Sequence, residues 1–595
     1  MQANLHQVLS ATNARLCNAL SSKQREQCSV SSVCWDSRNV APASLYVALV
    51  GAKVDGHNFI ADAVRSGAHI VVTTHDIAQE RIQEATQQGC AVVRCDDAVA
   101  FLEQLAAWWR TQLSATIVAI TGSTGKTTTK NLVAEVLGAA GSVCATLANQ
   151  NNELGVPNTV LRAEKDDRFV VVEMGMRGFD QIRHLCSWVK PHWALISNVG
   201  TSHIELLGSR DGIAHAKSEI FEQLPVQGGR AFLNACDDFL HQQRAYGKLA
   251  KRQVPCVYFN ADAYDESLQR ACAEGGGVLF VGAHDVQLNA FGQAQFSLSV
   301  YASQQRIRAL QEDAAVLETS ISSVSCAQIA QGNAQGSANG NELANAQDNA
   351  LENAKWSAFD AACEPVPDAE PTLAPDAPAF TPDAEPTLAP APSASNTPCK
   401  QDNLYELRVQ QPLTLSLCGS HNVSNALCAI AVGIEAGIPL SACLHRVQHV
   451  QPADGRQKFY QGIHLCTVID DAYNANPDSM RAALRVVKAL ETPGKRIAVL
   501  GDMGELGSYA VDMHRDVGKF AAHCGIDVLV CVGEHAQFIA EAAQSEGFPR
   551  ASLHTATCAQ QALELLKPLI SAHDVVLVKA SHSMHLETIV KGLLN

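Results

Sequence analysis

The sequence predicts an α/β protein with three domains and one long insertion, and three observations support this. Short apolar runs alternate with helical patterns through most of the 595 residues, which is typical of parallel sheets covered by helices. One of these runs leads into a glycine-rich loop that is followed directly by a helical pattern. About one hundred residues in the middle of the chain carry neither pattern, so we expect no packed structure there.

The composition is that of an ordinary globular protein, with 47% apolar and 17% charged residues. The formal net charge of −16 argues against a nucleic-acid-binding surface, which would be basic. The 20 cysteines include no C-x-x-C pair, so no zinc or thioredoxin-type motif is expected. The polar N-terminal residues lack the apolar core of a secretory signal, and no stretch approaches ~20 apolar residues. We therefore expect a cytoplasmic protein with reduced thiols and without stable membrane insertion.

The first predicted domain spans residues 1–97. The run Phe59–Val64 has a helical pattern, and His69–Thr73 has the pattern of a strand. A further helical pattern from Asp97 to Leu113 leads into the next strand, so we place the start of the second domain at residue 98.

The glycine-rich loop lies between a predicted buried strand, Thr116–Ile120, and a predicted helix, Thr129–Leu137. Its residues are Thr121, Gly122, Ser123, Thr124, Gly125, Lys126, Thr127 and Thr128. In such a loop backbone N–H groups face phosphate oxygens, Lys126 reaches the β- and γ-phosphates, and the Thr127 hydroxyl binds Mg²⁺. The loop is shorter than the standard P-loop, because Gly122 is its first glycine. We therefore predict an ATP or GTP site.

Two further strands of the second domain lead into polar residues. Phe169–Val172 is followed by Glu173, and Ala194–Ser197 is followed by the stretch Asn198–His203. Ligands of open parallel sheets bind at the carboxyl ends of the strands, so we expect these side chains near the phosphate loop. A carboxylate and an imidazole at that place could hold divalent cations.

Residues 303–402 interrupt the second domain. Gln, Asn, Ala and Ser dominate from Ser320 to Asn353, and ten of the 22 prolines lie between Pro365 and Pro398. Such a segment cannot bury enough apolar surface to offset the entropy of ordering, so we predict a disordered insertion. It lies between two strand-like runs, 295–301 and 404–409, and we therefore place it at the tip of a hairpin.

Strand–helix alternation resumes at residue 452. The predicted strands are Leu465–Ile469, Arg496–Leu500, Val528–Val532 and Val575–Val578. Helical patterns lie between them, which predicts a Rossmann-like domain over residues 452–595. The second domain accordingly spans residues 98–451.

Several motifs, taken together and in order, resemble those of the ATP-dependent Mur ligases. They are 36–38 and 55–60 in the first domain, 121–128, 149–157, 215–221 and 418–427 in the second, and 455–456, 470–480 and 500–507 in the third. The resemblance is greatest to the Mur ligases that join D-Ala-D-Ala to UDP-MurNAc-tripeptide, and it covers the chain except the insertion. Three positions depart from the family pattern: Cys418 stands in place of proline, Ala580 in place of glycine and His582 in place of arginine.

The resemblance implies a Mur ligase architecture with a UDP-substrate-binding N-terminal domain, a central P-loop ATPase-like domain and a C-terminal Rossmann-like domain. It implies a ligase of peptidoglycan precursor synthesis that uses ATP and Mg²⁺ to join UDP-MurNAc-tripeptide and D-Ala-D-Ala through an acyl phosphate. We expect this ligase to be a cytoplasmic monomer.

The resemblance also assigns roles to individual residues of this sequence. The substrate-binding residues would be Ser37 and Arg38, for the uridine diphosphate, and Asn151, Asn152, Tyr473, Asn474 and Asn476. The nucleotide-binding residues would be Gly122 to Thr128 together with Asn422, Asn425, Arg456 and Asp471. The magnesium ligands would be Thr127, Glu173, His203 and Lys217, the last after CO₂ has converted its ammonium to an anionic carbamate. The catalytic residues would be Lys126, His203 and Lys217.

Three alternative interpretations make different demands on the sequence. A MurE-type ligase or a folylpolyglutamate synthase would use another acceptor, and the motifs around Asn151 and Asn474 argue against it. A P-loop GTPase or kinase would carry a guanine-reading or kinase signature and would not need the first domain. A nucleotide-gated scaffold that does not turn over would not need Lys126, Glu173 and Lys217. The motifs do not distinguish diaminopimelate from lysine as the third residue of the tripeptide.

Overall fold

A computed structural model describes residues 1–51, 53–260, 277–303, 305–311, 405–409 and 412–594. The described residues form three α/β units, each built on its own mainly parallel sheet. Each sheet together with its helices is called a layer below: the first, the central and the third layer in chain order. The predicted fold class is therefore confirmed. Among these residues no helix is both long enough and apolar enough to cross a membrane.

The first sheet has five strands and occupies the N-terminal residues. The N-terminal strands are β1 Ala3–Asn4, β2 Arg15–Leu16, β3 Ser29–Val30, β4 Ser32–Cys34, β5 Ser44–Val47, β6 Ala68–Thr73 and β7 Ala91–Arg94. The sheet order is β2-β7-β6-β5-β4, with only β2 antiparallel, and β1 pairs separately with β3. The helices are Leu5–Ala11, Ser22–Gln27, Ile60–Arg65 and Gln79–Gln87. The predicted helix after Phe59 and the strand around Ile70 are confirmed.

The central sheet has ten strands. They are β8 Thr116–Thr121, β9 Val143–Ala145, β10 Phe169–Glu173, β11 Trp193–Ile196, β12 Arg230–Asn234, β13 Cys256–Asn260, β14 Gly277–Leu288, β15 Gln293–Ala302, β16 Tyr405–Arg408 and β17 Leu413–Cys418. Strands β9-β10-β8-β11-β12-β13-β14 are parallel neighbours in that order, and β15 continues the sheet antiparallel and pairs with β16 and β17.

The helices of this layer accompany a sheet whose central strands β8, β10, β11 and β12 are buried along most of their length. They are Ala98–Arg110, Lys126–Leu137, Gly155–Arg162, Gln181–Val189, Ile204–Leu207, Arg210–Ser218, Leu240–Tyr246, Leu249–Arg252, 305–311, His421–Glu435 and Leu440–His449. Strand β8 lies between β10 and β11, so the loops after these three strands share one edge. This neighbourhood brings the predicted phosphate loop next to Glu173 and Asn198.

The start of the predicted insertion differs from the expectation. Residues 305–311 form a helix in which Ile307 and Leu310 are buried, and Arg306 pairs with Glu435 at 2.7 Å. This helix lies within the first residues of the predicted insertion, 303–402. Ala302 pairs with Tyr405 in an antiparallel ladder, as expected for a hairpin. The remainder of the predicted insertion, 312–402, lies outside the described residues.

The third sheet has six strands. They are β18 Lys458–Gln461, β19 Thr467–Asp471, β20 Arg496–Gly501, β21 Val528–Val532, β22 Leu553–Ala556 and β23 Val575–Lys579. The order is β18-β19-β23-β20-β21-β22, with only β18 antiparallel. The helices are Pro477–Ala489, Ala510–Ala522, Ala536–Ser545, Ala559–Leu566 and Glu587–Leu594. All four predicted strands are confirmed, although the first begins at Thr467 because residues 463–465 form a 3-10 helix.

Candidate active site

The phosphate loop is held in shape by glycines and by the end of β11. A side chain on Gly122 would place its Cβ 1.9 Å from Ser197 Oγ, and Gly125 has a φ of +76°, so both positions require glycine. The Asn198 side chain accepts a hydrogen bond from the Thr124 N–H at 3.0 Å. Lys126 begins the following helix, and its Nζ donates to the Gly122 carbonyl at 2.8 Å. The loop is thus held by its own contacts, with the Lys126 side chain folded back over it.

Glu173 ends β10 beside this loop and is 1% exposed. One carboxylate oxygen, Oε1, accepts hydrogen bonds from Thr127 Oγ1 at 3.2 Å and from Asn151 Nδ2 at 2.7 Å. The other oxygen, Oε2, is buried and has no hydrogen-bond partner among the described residues. A buried carboxylate oxygen without a donor is costly, and a hard cation would satisfy it. The Glu173–Thr127 pair therefore fits a Mg²⁺ ion.

The segment after β9 carries the two predicted substrate asparagines. Asn151 is fixed by Glu173 and by its carbonyl, which accepts from the Gly175 N–H at 2.8 Å. Asn152 is exposed, and its Oδ1 accepts from the Gly155 N–H at 3.0 Å at the start of a helix. Asn151 is thus fixed against Glu173, and both asparagines line the main cavity.

His203 joins the central layer to the third. It has a φ of +64°, and its Nδ1 lies 2.6 Å from Glu505 Oε2. The hydrogen bond from His203 lowers the pKa of the Glu505 carboxyl. Sequence reasoning assigned no role to Glu505, although it lies in the 500–507 motif. Its contact with His203 depends on how the two layers pack, which no local pattern reveals.

Lys217 lies in the last turn of the helix Arg210–Ser218 and is 1% exposed. Burial lowers its pKa well below the ordinary value, and the positive charge of Lys126 lowers it further. The shift raises the share of neutral amine relative to an exposed lysine, and a neutral amine is the form that can react with CO₂. Lys217 does not line the main cavity.

Asn422 and Asn425 open the helix His421–Glu435 and belong to a chain of hydrogen bonds. Thr129 Oγ1 donates to Asn425 Oδ1 at 3.0 Å, Asn425 Nδ2 donates to Asn422 Oδ1 at 2.9 Å, and Asn422 Nδ2 donates to the Cys418 carbonyl at 2.7 Å. These hydrogen bonds tie the phosphate-loop helix, Lys126–Leu137, to the helix His421–Glu435. Cys418, in place of the family's proline, still supplies the carbonyl that ends this chain of hydrogen bonds.

The third layer contributes a loop after β19. Lys579, at the end of β23, is buried and its Nζ contacts Asp471 Oδ2 at 2.8 Å and the Asn474 carbonyl at 2.9 Å. Arg456 lies over the Tyr473 ring, with its guanidinium carbon 4.5 Å from the ring centre. Lys579 directly precedes Ala580, one of the positions that depart from the family pattern, and its contacts support the 471–476 loop.

A polar bridge links this loop directly to the phosphate loop. Asn476 Nδ2 donates to Ser202 Oγ at 2.7 Å, and Ser202 Oγ donates to the Ser123 carbonyl at 3.1 Å. Asp478 also accepts from the Thr201 N–H at 3.3 Å. These contacts hold the third layer against the carboxyl edge of the central sheet.

One cavity of about 1270 Å³ lies between the central and third layers. The predicted site residues that line it are Ser123, Thr124, Gly125, Lys126, Thr127, Thr128, Asn151, Asn152, Glu173, His203, Asn422, Asn425, Arg456, Asp471, Tyr473, Asn474 and Asn476. The predicted site residues outside its lining are Ser37, Arg38, Gly122 and Lys217. Arg38 is exposed and makes a 2.6 Å ion pair with Asp36. The structure therefore brings most of the nucleotide, metal and joining-site candidates together at this cavity, while Lys217, Gly122 and the uridine candidates lie outside its lining.

Three family models match this chain. They are the Mur ligase family catalytic domain over residues 29–109, the Mur ligase middle domain over 120–297, and the Mur ligase glutamate ligase domain over 455–582. The three matches fall on the three sheets.

Known proteins match along nearly the whole chain. The UDP-N-acetylmuramoyl-tripeptide--D-alanyl-D-alanine ligase of Mycobacterium leprae is 30% identical over 605 residues, covering 95% of this chain and 92% of that protein. The ligase of the same name from Escherichia coli is 28% identical, covering 98% of this chain and 99% of its own. A crystal structure of MurF from Acinetobacter baumannii is 26% identical, with a TM-score of 0.68 and coverage of 100% and 99%. The chain described here belongs to the Mur ligase family.

Proposed function

We propose that this chain is the ATP-dependent ligase that joins D-Ala-D-Ala to UDP-MurNAc-tripeptide in peptidoglycan precursor synthesis. Relatives from Mycobacterium leprae and Escherichia coli carry the name of this activity and match along more than nine tenths of both chains. The reaction is placed in the cytoplasm, where ATP and a nucleotide-linked sugar are both supplied.

The observation that carries the proposal is the composition of the cavity between the central and third layers. A phosphate-binding loop on one wall faces, on the other, a polar loop of a separate layer with Tyr473, Asn474 and Asn476. A simple ATPase needs the first wall only. A ligase must hold a third reactant against the activated carboxylate, and the second wall provides amide and phenol groups for a short peptide.

The chemistry proceeds in two steps. A carboxylate oxygen of the tripeptide attacks the γ-phosphorus of ATP. ADP is released, and the tripeptide carboxylate becomes an acyl phosphate. The amine of D-Ala-D-Ala then attacks the acyl carbon, and inorganic phosphate leaves as the amide forms. The chain's own work is positioning and charge compensation. Lys126 turns from the Gly122 carbonyl to the β- and γ-phosphates, and Asn151 orients the carboxylate near Glu173.

Thr127, Glu173 and His203 are the residues that would hold divalent cations in the cavity. The buried, unpaired Oε2 of Glu173 is the feature that supports such a site. Bound Mg²⁺ would supply compensation of the phosphoryl charge. Glu505 contacts His203 from the third layer and would thereby make the cation site sensitive to the packing of that layer.

Lys217 is proposed to be carbamylated, and the carbamate would then help to hold a second Mg²⁺. Its burial and the charge of Lys126 favour the neutral amine that this modification requires.

Ser37 and Arg38 are proposed to receive the uridine diphosphate. They lie outside the cavity lining, so the nucleotide-sugar end of the substrate would extend away from the phosphate loop toward the first sheet.

The deciding experiment incubates the protein with ATP, Mg²⁺ and UDP-MurNAc-tripeptide, and adds either D-Ala-D-Ala or single amino acids. Phosphate release and the mass of the product are measured together. The proposal requires phosphate release that depends on D-Ala-D-Ala and a product enlarged by the dipeptide. Product formation with a single amino acid in preference to the dipeptide would assign the chain to another branch of the family. Parallel reactions with lysine- and diaminopimelate-containing tripeptides determine the third residue.

A further inference from the structure

A second lysine on the phosphate-loop helix is buried without reaching the cavity. Lys130 lies one turn after Lys126, on the same side of the helix, and is 3% exposed. Its Nζ donates to the Thr146 carbonyl at 2.6 Å and to the Ala148 carbonyl at 3.1 Å. Lysines are almost never buried unless their charge is compensated, so this placement needs a reason.

The two carbonyls belong to the segment 146–152, which leads from β9 to the substrate asparagines. Ala148 has a φ of +44°, in the left-handed region that residues other than glycine rarely adopt. The lysine thus holds the segment at its most strained residue. Leu147, between the two acceptors, points outward and is exposed.

Thr146 connects the lysine to the cation site as well. Its hydroxyl oxygen accepts from the Glu173 N–H at 3.0 Å and from Thr159 Oγ1 at 3.1 Å, while its carbonyl accepts from Lys130. Three residues further along the segment, beyond Ala148, Asn151 donates to the Glu173 carboxylate at 2.7 Å. The segment is therefore held at Thr146 and Ala148 by Lys130 and at Asn151 by Glu173.

We propose that Lys130 is a positioning residue for the tripeptide, because it clamps the segment 146–152 to the phosphate-loop helix and thereby sets the place of Asn151 and Asn152. The inference rests on the proposed function, in which these asparagines contact the tripeptide. It also couples the two substrates, since the same helix carries Lys126 for the phosphates and Lys130 for the tripeptide segment.

The test compares Lys130→Met and Lys130→Arg with the wild type. Methionine keeps the length of the side chain but offers no donor. Binding of UDP-MurNAc-tripeptide and of a non-hydrolysable ATP analogue with Mg²⁺ is measured separately by calorimetry. Loss of hydrogen bonds from a charged donor should weaken tripeptide binding by about tenfold to a hundredfold, with nucleotide affinity changed less than about threefold. Lys130→Arg keeps the charge but not the geometry, so its affinity for the tripeptide should lie between those of wild type and Lys130→Met.

Leu147→Ala is the matched control, since it alters the same segment without touching either acceptor carbonyl. It should leave both affinities unchanged. Hydrogen exchange of the amides in 147–152 provides a second readout, and these amides should exchange faster in Lys130→Arg and Lys130→Met than in wild type or in Leu147→Ala. If Lys130→Met does not fold, the tripeptide affinity and the exchange rates of Lys130→Arg decide the matter.

The inference is overturned if Lys130→Met folds and binds the tripeptide within about threefold of wild type. It is also overturned if both affinities fall equally, which would mean that Lys130 acts through the phosphate loop. Failure of the proposed function shows in the wild type itself, as absence of tripeptide binding. In that case the exchange rates still decide whether Lys130 holds the segment.

Discussion

Replacing Glu173 by glutamine removes one buried negative charge from the wall of the cavity and leaves the shape of the side chain unchanged. The amide oxygen of Glu173→Gln can still accept from Thr127 and Asn151, which now reach Oε1 at 3.2 and 2.7 Å. The amide nitrogen would take the place of Oε2, which is buried and has no partner among the described residues. The substitution therefore tests the charge and little else.

Two opposing terms set the effect on the protein without ligands. Hydrogen bonds to a charged group contribute about 1 kcal/mol more than neutral ones, so two of them lose about 2 kcal/mol. The Oε2 position stays without a partner in the variant, but burying a neutral amide costs less than burying a carboxylate, so part of this loss is regained. These terms offset one another, so we expect the melting temperature without Mg²⁺ to change by no more than a few degrees. With Mg²⁺ and nucleotide at about 100 times Kd, wild type gains ~2.7 kcal/mol, and the variant should lose most of this gain.

The assay measures melting temperatures with and without Mg²⁺ and a non-hydrolysable ATP analogue, followed by the rate of ligation. Removing one charge-compensating group costs about 3–4 kcal/mol of barrier, so kcat/KM should fall by ~10²–10³-fold. Glu153→Gln is the control, because it makes the same change on an exposed carboxylate of the same cavity. Ligation by Glu173→Gln within tenfold of wild type, or an unchanged Mg²⁺-dependent rise in melting temperature, would refute the reasoning.

Further predictions concern other parts of the chain. Lys126→Ala should lower the ligation rate by ~10³-fold or more, and a residual rate above about a tenth of wild type would contradict its assigned role. Lys217→Ala should be nearly inactive and partly restored by an added short carboxylate, whereas an active variant with no such dependence would exclude the carbamate. Replacing residues 312–402 by a short Gly/Asn turn should keep the ligation rate within a few-fold of wild type, because the entropy of loop closure changes by only ~0.6 kcal/mol per doubling of loop length. Loss of ligation with retained ATP binding would show that the segment is part of the site. Burial lowers the pKa of His514, whose Nε2 accepts from the Met503 N–H. Because the unfolded chain then binds this proton more readily, the free energy of unfolding should fall by up to ~1.4 kcal/mol per pH unit as the pH drops below about 6.5. His514→Gln should flatten the slope of the melting temperature against pH.

Much of the fold follows from local pattern. The predicted strand Val528–Val532 is observed with the same ends, and the strand before the phosphate loop extends by a single residue to Thr121. Strands of a parallel sheet covered on both faces are uniformly apolar, so their signal is continuous and short-range. The first stretch of the insertion shows the limit of this reasoning. Composition predicted disorder from residue 303, yet residues 305–311 form a helix in which Ile307 and Leu310 are buried, and composition alone does not indicate this short element.

The sequence by itself determined the three α/β layers, the glycine positions of the phosphate loop and the motifs that lead to the Mur ligase family. All of these depend on the chemistry of residues close together in the chain. Only the tertiary structure decided which groups meet: His203 with Glu505, Lys579 with Asp471, and Lys130 with the Ala148 carbonyl. The partners in the first two pairs are about a hundred residues or more apart, and all three contacts depend on how elements pack together. Burial is likewise a property of the packed whole, and it is burial that sets the Lys217 pKa well below its ordinary value.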